Sequence, residues 1–366
     1  MGFHIVKREN CPLWKKALFY LIAIAVALLL GGVILMSIGV DPMEYYTRMF
    51  TMGTIKNRIA YKYYMNYLER FVPLVLTALG LSLAFRMRFW NIGGEGQFIM
   101  GAIASSAVAI LLGEKMPSGL VLLLMCLAAM VAAGLYGLMV AALKVRFDTN
   151  ETLLTLMLNY VAIYVLQYLM KTKVGWNFFL NAKELRPVPQ DHPEGAMFPT
   201  IPVSGKFELS VCVIFAFVIG AIVYLYLKRT KQGYEISVVG DSAGTARYAG
   251  MKVNKIVLRT VFLSACLIGL AAAFKMGTVG TLSTSITDDV GWTGIIVAWL
   301  AQLNPIAIFV IAGMLCVLHY GSVVAATKFL QVDSSFANML QGFILFMVLA
   351  ADFMIRFKIV RTKKEG

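Results

Sequence analysis

An all-α integral membrane protein, crossing the bilayer about ten times through two inverted repeats with broken helices, is the fold this sequence predicts. Three observations carry it. Sixty per cent of the 366 residues are hydrophobic and 14% are charged, against about one quarter charged in an ordinary soluble domain. Ten apolar runs can be read along the chain, most of them near the roughly 20 residues that a hydrocarbon core about 30 Å thick requires of a helix. One eight-residue stretch also occurs twice, far apart in the chain, which is the mark of an internal repeat.

The first run, residues 17 to 39, follows a basic start holding Lys7, Arg8, Lys15 and Lys16. That flank also suits a signal peptide. The run nevertheless exceeds the roughly 7 to 15 residues of a signal core and lacks a clean small-x-small cleavage site, so a retained helix is expected. Further runs lie at 71 to 85, 98 to 112, 119 to 143, 152 to 170, 209 to 227 and 257 to 273, then at 292 to 303, 306 to 320 and 336 to 353. Those beginning at 71, 98 and 292 are interrupted by glycine or polar residues. A bilayer tolerates such interruptions only where protein or a wet cavity covers the backbone.

Ten crossings put both ends on one side, and the positive-inside rule makes that side the cytoplasm. On this topology the inner segments carry 20 of the 33 Lys and Arg residues, seven of them between 228 and 259 and five in the tail. The rest fall mainly in two long outer segments, 40 to 70 and 172 to 208. The net charge of +14 therefore reads as membrane orientation, and no nucleic-acid domain is expected. Cys126, Cys212, Cys266 and Cys316 fall within apolar runs and Cys11 in the start, so no disulfide framework is indicated. His4, His192 and His319 are scattered, so neither a metal site nor a cofactor is expected.

The repeated stretch is GLSLAFRM at 80 to 87 and GLAAAFKM at 269 to 276, with five of eight positions identical and Arg86 exchanged for Lys275. Each copy ends an apolar run and precedes a glycine-rich break, NIGGEGQ at 91 to 97 and GTVGTLSTS at 277 to 285. Asp148-Thr149-Asn150-Glu151 before one run is echoed by Asp333-Ser334-Ser335 before the last. The chain, 1 to 366, thus reads as one transmembrane domain with halves at about 71 to 171 and 257 to 353. One copy lies at the inner face and the other at the outer, so the halves are inverted, a common plan in transporters.

Chemistry concentrates at the breaks. Three glycines within residues 93 to 96 disfavour helix by roughly 1 kcal/mol each relative to alanine. Asn91 and Glu95, spaced i and i+4, would share a face if this stretch were helical, with Gln97 pointing elsewhere. An acid beside a membrane run marks a candidate site by default, unless Glu95 merely pairs with Arg86 or Arg88. No Gly-Lys-Ser/Thr loop is present, so ATP is not bound by that route. The second break holds Thr278, Thr281, Ser283, Thr284, Ser285, Asp288 and Asp289 ahead of Trp292. Asn159, Gln167, Gln302, Asn304, Asn338 and Gln341 lie within or beside runs, where hydrogen bonds between helices are the usual role. Trp90, Phe98, Tyr160, Trp292, Trp299 and Phe343 could stack on a planar ligand or form interfacial belts. The inner segment 228 to 256 is long, polar and basic, with a run of small residues from Gly240 to Gly250 suited to a short helix seated in another protein's groove.

NIGGEGQ, the loop pattern G-x-x-x-x-x-A-x-Y-A-G and the later GWTGIIVAWLAQLNP at 291 to 305 resemble the membrane permeases of bacterial ABC importers in the ribose and branched-chain amino-acid permease superfamily. Within it the chain is most similar to the nucleoside-uptake branch. The resemblance runs from about 71 to 353. It implies a multi-pass protein of the bacterial cytoplasmic membrane that is not itself an enzyme. Its partners would be a cytoplasmic ATP-binding subunit that hydrolyses ATP, a second permease subunit and an extracytoplasmic substrate-binding protein. It places Gly240, Ala246, Tyr248, Ala249 and Gly250 in a coupling helix that docks on the ATPase, although Thr245-Ala246 stands where the family usually has paired alanines. It also puts Asn91, Glu95 and Gln97 at a broken helix near the translocation path, with Trp90, Asn159 and Trp292 as further candidates. A simple-sugar permease and an ion-coupled secondary transporter, the latter resting on Glu95, are the alternatives. A membrane enzyme lacks any paired metal ligands, activated nucleophile or convergent carboxylates.

Overall fold

A computed structural model describes residues 2 to 7, 12 to 54, 60 to 333 and 335 to 362. Arg8, Cys11, Ser334 and the last residues of the basic tail lie outside them. Strand β1 (Gly2–Lys7) is followed by helices α1 (Leu13–Ser37), α2 (Pro42–Phe50), α3 (Ala60–Arg86), α4 (Gly94–Leu112), α5 (Ser118–Phe147) and α6 (Glu151–Lys171). A hairpin of β2 (Thr200–Ser204) and β3 (Phe207–Ser210) leads into α7 (Val211–Arg229), α8 (Lys231–Asp241) and α9 (Ala243–Tyr248). The chain then runs through α10 (Val253–Val279), α11 (Val290–Leu300), α12 (Pro305–Ala326), α13 (Phe336–Arg356) and strand β4 (Phe357–Thr362).

Each of the ten expected runs is a helix. Among the described residues nine are long and apolar enough to cross a membrane, and the tenth, α11, has 11 residues. At about 1.5 Å per residue α11 spans roughly 16 Å, half a bilayer core. Leu21, Leu29, Leu123, Leu135, Phe217 and Ile222 are exposed on α1, α5 and α7, as lipid-facing positions are. The four described cysteines are free thiols.

The chain divides into two compact units. One comprises residues 1 to 63 and 314 to 366. In it Asp41 caps α2 by accepting from the Met43 amide at 2.9 Å, and Tyr45 is buried with its hydroxyl 2.6 Å from that of Ser322. Strands β1 and β4 pair antiparallel from Gly2 opposite Thr362 to Lys7 opposite Phe357.

The other unit, residues 64 to 313, is built on α4, α5 and α10 packed together. Small residues let these backbones meet: a Cβ on Gly269 would lie 2.2 Å from the Ala129 carbonyl oxygen, and one on Gly101 would lie 2.9 Å from Gly269 Cα. Without a hydrophobic force between helices in lipid, this close approach is what holds them. The segment after α6 folds back over the end of α10. The His192 and Phe198 amides donate to the Gly280 and Gly277 carbonyls, each at 2.8 Å, and His192 Nε2 lies 2.8 Å from the Ser106 hydroxyl of α4.

A chain of caps at two helix breaks

The first break is shorter than the glycines suggest. Helix α4 begins at Gly94, so Glu95, Gly96 and Gln97 are helical and only residues 87 to 93 are not. Tertiary packing outweighs the glycine penalty here, since Gly94, Glu95, Gly96 and Gln97 are all buried. Asn91 lies outside the helix and shares no helical face with Glu95. It pairs with Gln97 instead: Asn91 Nδ2 donates to Gln97 Oε1 at 3.1 Å and Gln97 Nε2 donates to Asn91 Oδ1 at 3.0 Å.

The start of a helix presents amides without partners. The residue before α4 is Gly93, which has no side chain to cap with, and Asp289 before α11 makes no side-chain cap. Both caps come from other helices. Asn159 on α6 accepts the Gly96 amide at 2.8 Å through Oδ1 and donates to the Ile92 carbonyl at 2.9 Å. Thr155, one turn earlier on α6, accepts the Ile92 amide at 3.2 Å. Glu95 then serves α11, its Oε2 accepting the Gly291 amide at 3.0 Å with the Thr287 hydroxyl also bonded to it. A carboxylate at a helix start is favoured by the helix dipole as well as by the bond.

The two helix starts therefore meet, and α6 caps α4 while α4 caps α11. The contact is tight: a Cβ on Gly291 would lie 2.4 Å from the Glu95 amide nitrogen. Its depth follows from α3. Gly94 packs on Leu81, and Gly294 on Thr77, positions roughly 8 to 14 Å from the Arg86 end of α3 at the helical rise. The meeting point thus lies well within the length of α3, a helix long and apolar enough to cross a membrane. Glu95 pairs with neither Arg86 nor Arg88. Arg86 Nη2 donates to the Leu303 carbonyl just beyond α11 at 2.8 Å.

The structure thus brings Asn91, Glu95, Gln97 and Asn159 together and leaves the tryptophans outside. Trp90 stacks on Trp299 at 5.2 Å and 13°, both partly exposed, and Trp292 is partly exposed on α11. Phe98 is fully buried. Thr155, Thr287 and Gly291 were missed by sequence reasoning. The Thr155 and Asn159 spacing of one helical turn was a usable signal for the first; nothing local marked the other two.

The residues from 240 to 250 form no single helix. Gly240 lies in the last turn of α8, Ser242 caps α9 by accepting the Thr245 amide at 3.2 Å, and α9 ends before Ala249 and Gly250. Ala246 is buried, whereas Tyr248 is 96% exposed. Gly240 rests directly on the end of α3, where a Cβ would lie 2.0 Å from the Arg86 carbonyl oxygen. Glu235 on the same helix accepts from Arg259 of α10 at 3.0 Å. A cavity of about 620 Å³ adjoins this contact, with Arg88, Lys144, Glu151, Asp241 and Arg247 among its lining residues.

Residues 63 to 349 match the family described as branched-chain amino acid transport system / permease component. The glucose ABC transporter permease protein of Haloferax volcanii is 27% identical over 96% of this chain and 92% of its own length. The guanosine ABC transporter permease protein of Bacillus subtilis is 27% identical over 94% of this chain and 96% of its own. The nucleoside ABC transporter permease protein of Lactococcus lactis is 26% identical over 84% of each.

Proposed function

The chain belongs to the branched-chain amino acid transport system / permease component family, and from that premise we propose that it carries nucleosides inward across a bacterial cytoplasmic membrane. The observation that carries the substrate is similarity over most of the chain to two permeases named for guanosine and for nucleosides. The similarly distant glucose permease supports a simple sugar as the second reading.

On this reading the basic inner segments and both termini are cytoplasmic, in keeping with the pairing of β1 and β4 and with the Lys and Arg distribution. A separate ATP-binding subunit docks on α9, with exposed Tyr248 and the small residues Ala249 and Gly250 at the contact and buried Ala246 holding the helix in place. A second permease subunit stands beside this one, and an extracytoplasmic binding protein delivers substrate to the two inverted halves.

ATP binding displaces α9 and with it α8. The α8 helix bears on α3 through Gly240 and on α10 through Glu235 and Arg259, the two helices that carry the repeated motif and lead into the two breaks. Movement at residues 87 to 93 reaches Asn91, Gln97 and Asn159 first, then Glu95 and α11. Differential stabilisation of two conformations by ATP supplies the drive. Glu95, on which an ion-coupled mechanism would rest, is occupied as the cap of α11.

The test is uptake into proteoliposomes bearing the assembled complex. Nucleoside accumulation is expected to need ATP and the ATP-binding subunit, and undiminished accumulation without that subunit overturns the coupling. Calorimetry on the cognate binding protein separates the substrates: binding of sugars alone overturns the nucleoside reading.

A further inference from the structure

A cavity of about 190 Å³ lies between residues 65 to 73 of α3 and residues 274 to 278 of α10, on the outer side in the topology proposed above. That volume is below the roughly 300 Å³ at which pockets for drug-sized ligands begin, so it admits one small ring. Two carboxylates line it, Glu69 and Glu208, with Phe198 and Phe274 packed edge to face at 5.3 Å and 80°. Glu69 is held from behind by Lys275, whose Nζ is 2.8 Å from Oε1. Lys275 is the cation of the second motif copy, and it has a different task from Arg86, which holds a backbone carbonyl. Glu208 Oε2 accepts from the Thr200 hydroxyl at 2.6 Å.

A carboxylate offers about four lone-pair sites, so each retains capacity after these bonds. Two acids against one cation leave the lining negative. Such a lining disfavours phosphate and suits neutral hydroxyl donors. Two carboxylates and an aromatic pair lining one small cavity suit the two faces of a sugar ring, hydroxyls on one side and C–H groups on the other.

We propose that this cavity is a subsite for the ribose ring of the incoming nucleoside, with Glu69 and Glu208 accepting from its vicinal hydroxyls. Lys275 is a positioning residue that orients Glu69. The proposal rests on the nucleoside reading and goes beyond it by placing recognition of the sugar in the permease itself.

The experiment compares inosine with 2′,3′-dideoxyinosine in proteoliposomes bearing the full complex, at saturating binding protein fully loaded with either compound. Glu208→Gln and Glu69→Gln are each expected to slow inosine uptake about tenfold, the order of a hydrogen bond to a charged group. Uptake of the dideoxy compound should be unchanged, so the ratio between the two collapses. Equal slowing of both, or no change in either, overturns the subsite. If Glu69→Gln lowers the melting temperature and abolishes all uptake, Glu208→Gln, which breaks no ion pair among the described residues, decides. A wild-type complex that takes up no nucleoside overturns the substrate reading and the subsite with it, and is seen before any variant is made.

Discussion

Asn159 satisfies two backbone groups at the start of α4, the Gly96 amide in its first turn and the Ile92 carbonyl just before it. Hydrogen bonds between membrane helices average only about 0.6 kcal/mol, because the unfolded chain finds other partners. Here, however, removal strands a buried amide, at about 1 to 3 kcal/mol, together with a part-buried carbonyl. Asn159→Leu should therefore lower the melting temperature of the purified permease more than a typical polar substitution in a membrane helix. A shift no larger than that of a Gln167→Leu control on the same helix contradicts the capping role. His192 is a second residue whose surroundings set its behaviour. Burial pushes its pKa down from 6.5 to about 4, against the smaller upward effects of the Met276 carbonyl and Asp191. The unfolded chain takes up this proton first as pH falls. Stability is therefore whole above pH 6.5 and is lost between about 6.5 and 4, by about 3 kcal/mol for a shift of that size. Melting temperatures from pH 7.5 to 4.5 should decline, and His192→Gln should flatten the decline. An unchanged slope in the variant would locate the effect elsewhere.

At the level of elements, α8 is a short rod pinned near its middle and in its last turn. Gly240 touches the last residues of α3, and Glu235 is tied to α10. A side chain at 240 would wedge that contact apart, an overpacking cost of about 1 to 3 kcal/mol. Gly240→Val should accordingly lower transport about tenfold, while the ATP-binding subunit continues to hydrolyse ATP and the binding protein keeps its affinity. Hydrolysis and transport falling together would mean that the variant prevents assembly instead. The helices themselves were legible from hydropathy because lipid imposes a long apolar run wherever a helix crosses. Their starts were less so. NIGGEGQ reads locally as a break, yet α4 claims four of its seven residues, because the caps that permit this come from α6, some sixty positions away. The acid at 95 could be singled out from its cost in a membrane. Its partner at 291 could not, since a glycine amide carries no signal in a sequence.

Across the whole molecule, the ten runs were readable, while the terminal strands were not: GFHIVK and FKIVRT pair over a separation that no local pattern spans. That pairing has a consequence for biogenesis. Strand β1 is synthesised long before β4, and its edge stays open while every intervening helix is inserted. The two can meet only if the count of insertions between them is even. With both termini on one face, as proposed above, a nascent chain in which one crossing segment failed to enter would leave β1 and β4 on opposite faces of the membrane, each with an unpaired edge of the kind that recruits other chains. On that topology the small terminal sheet would close only on chains with an even number of crossings.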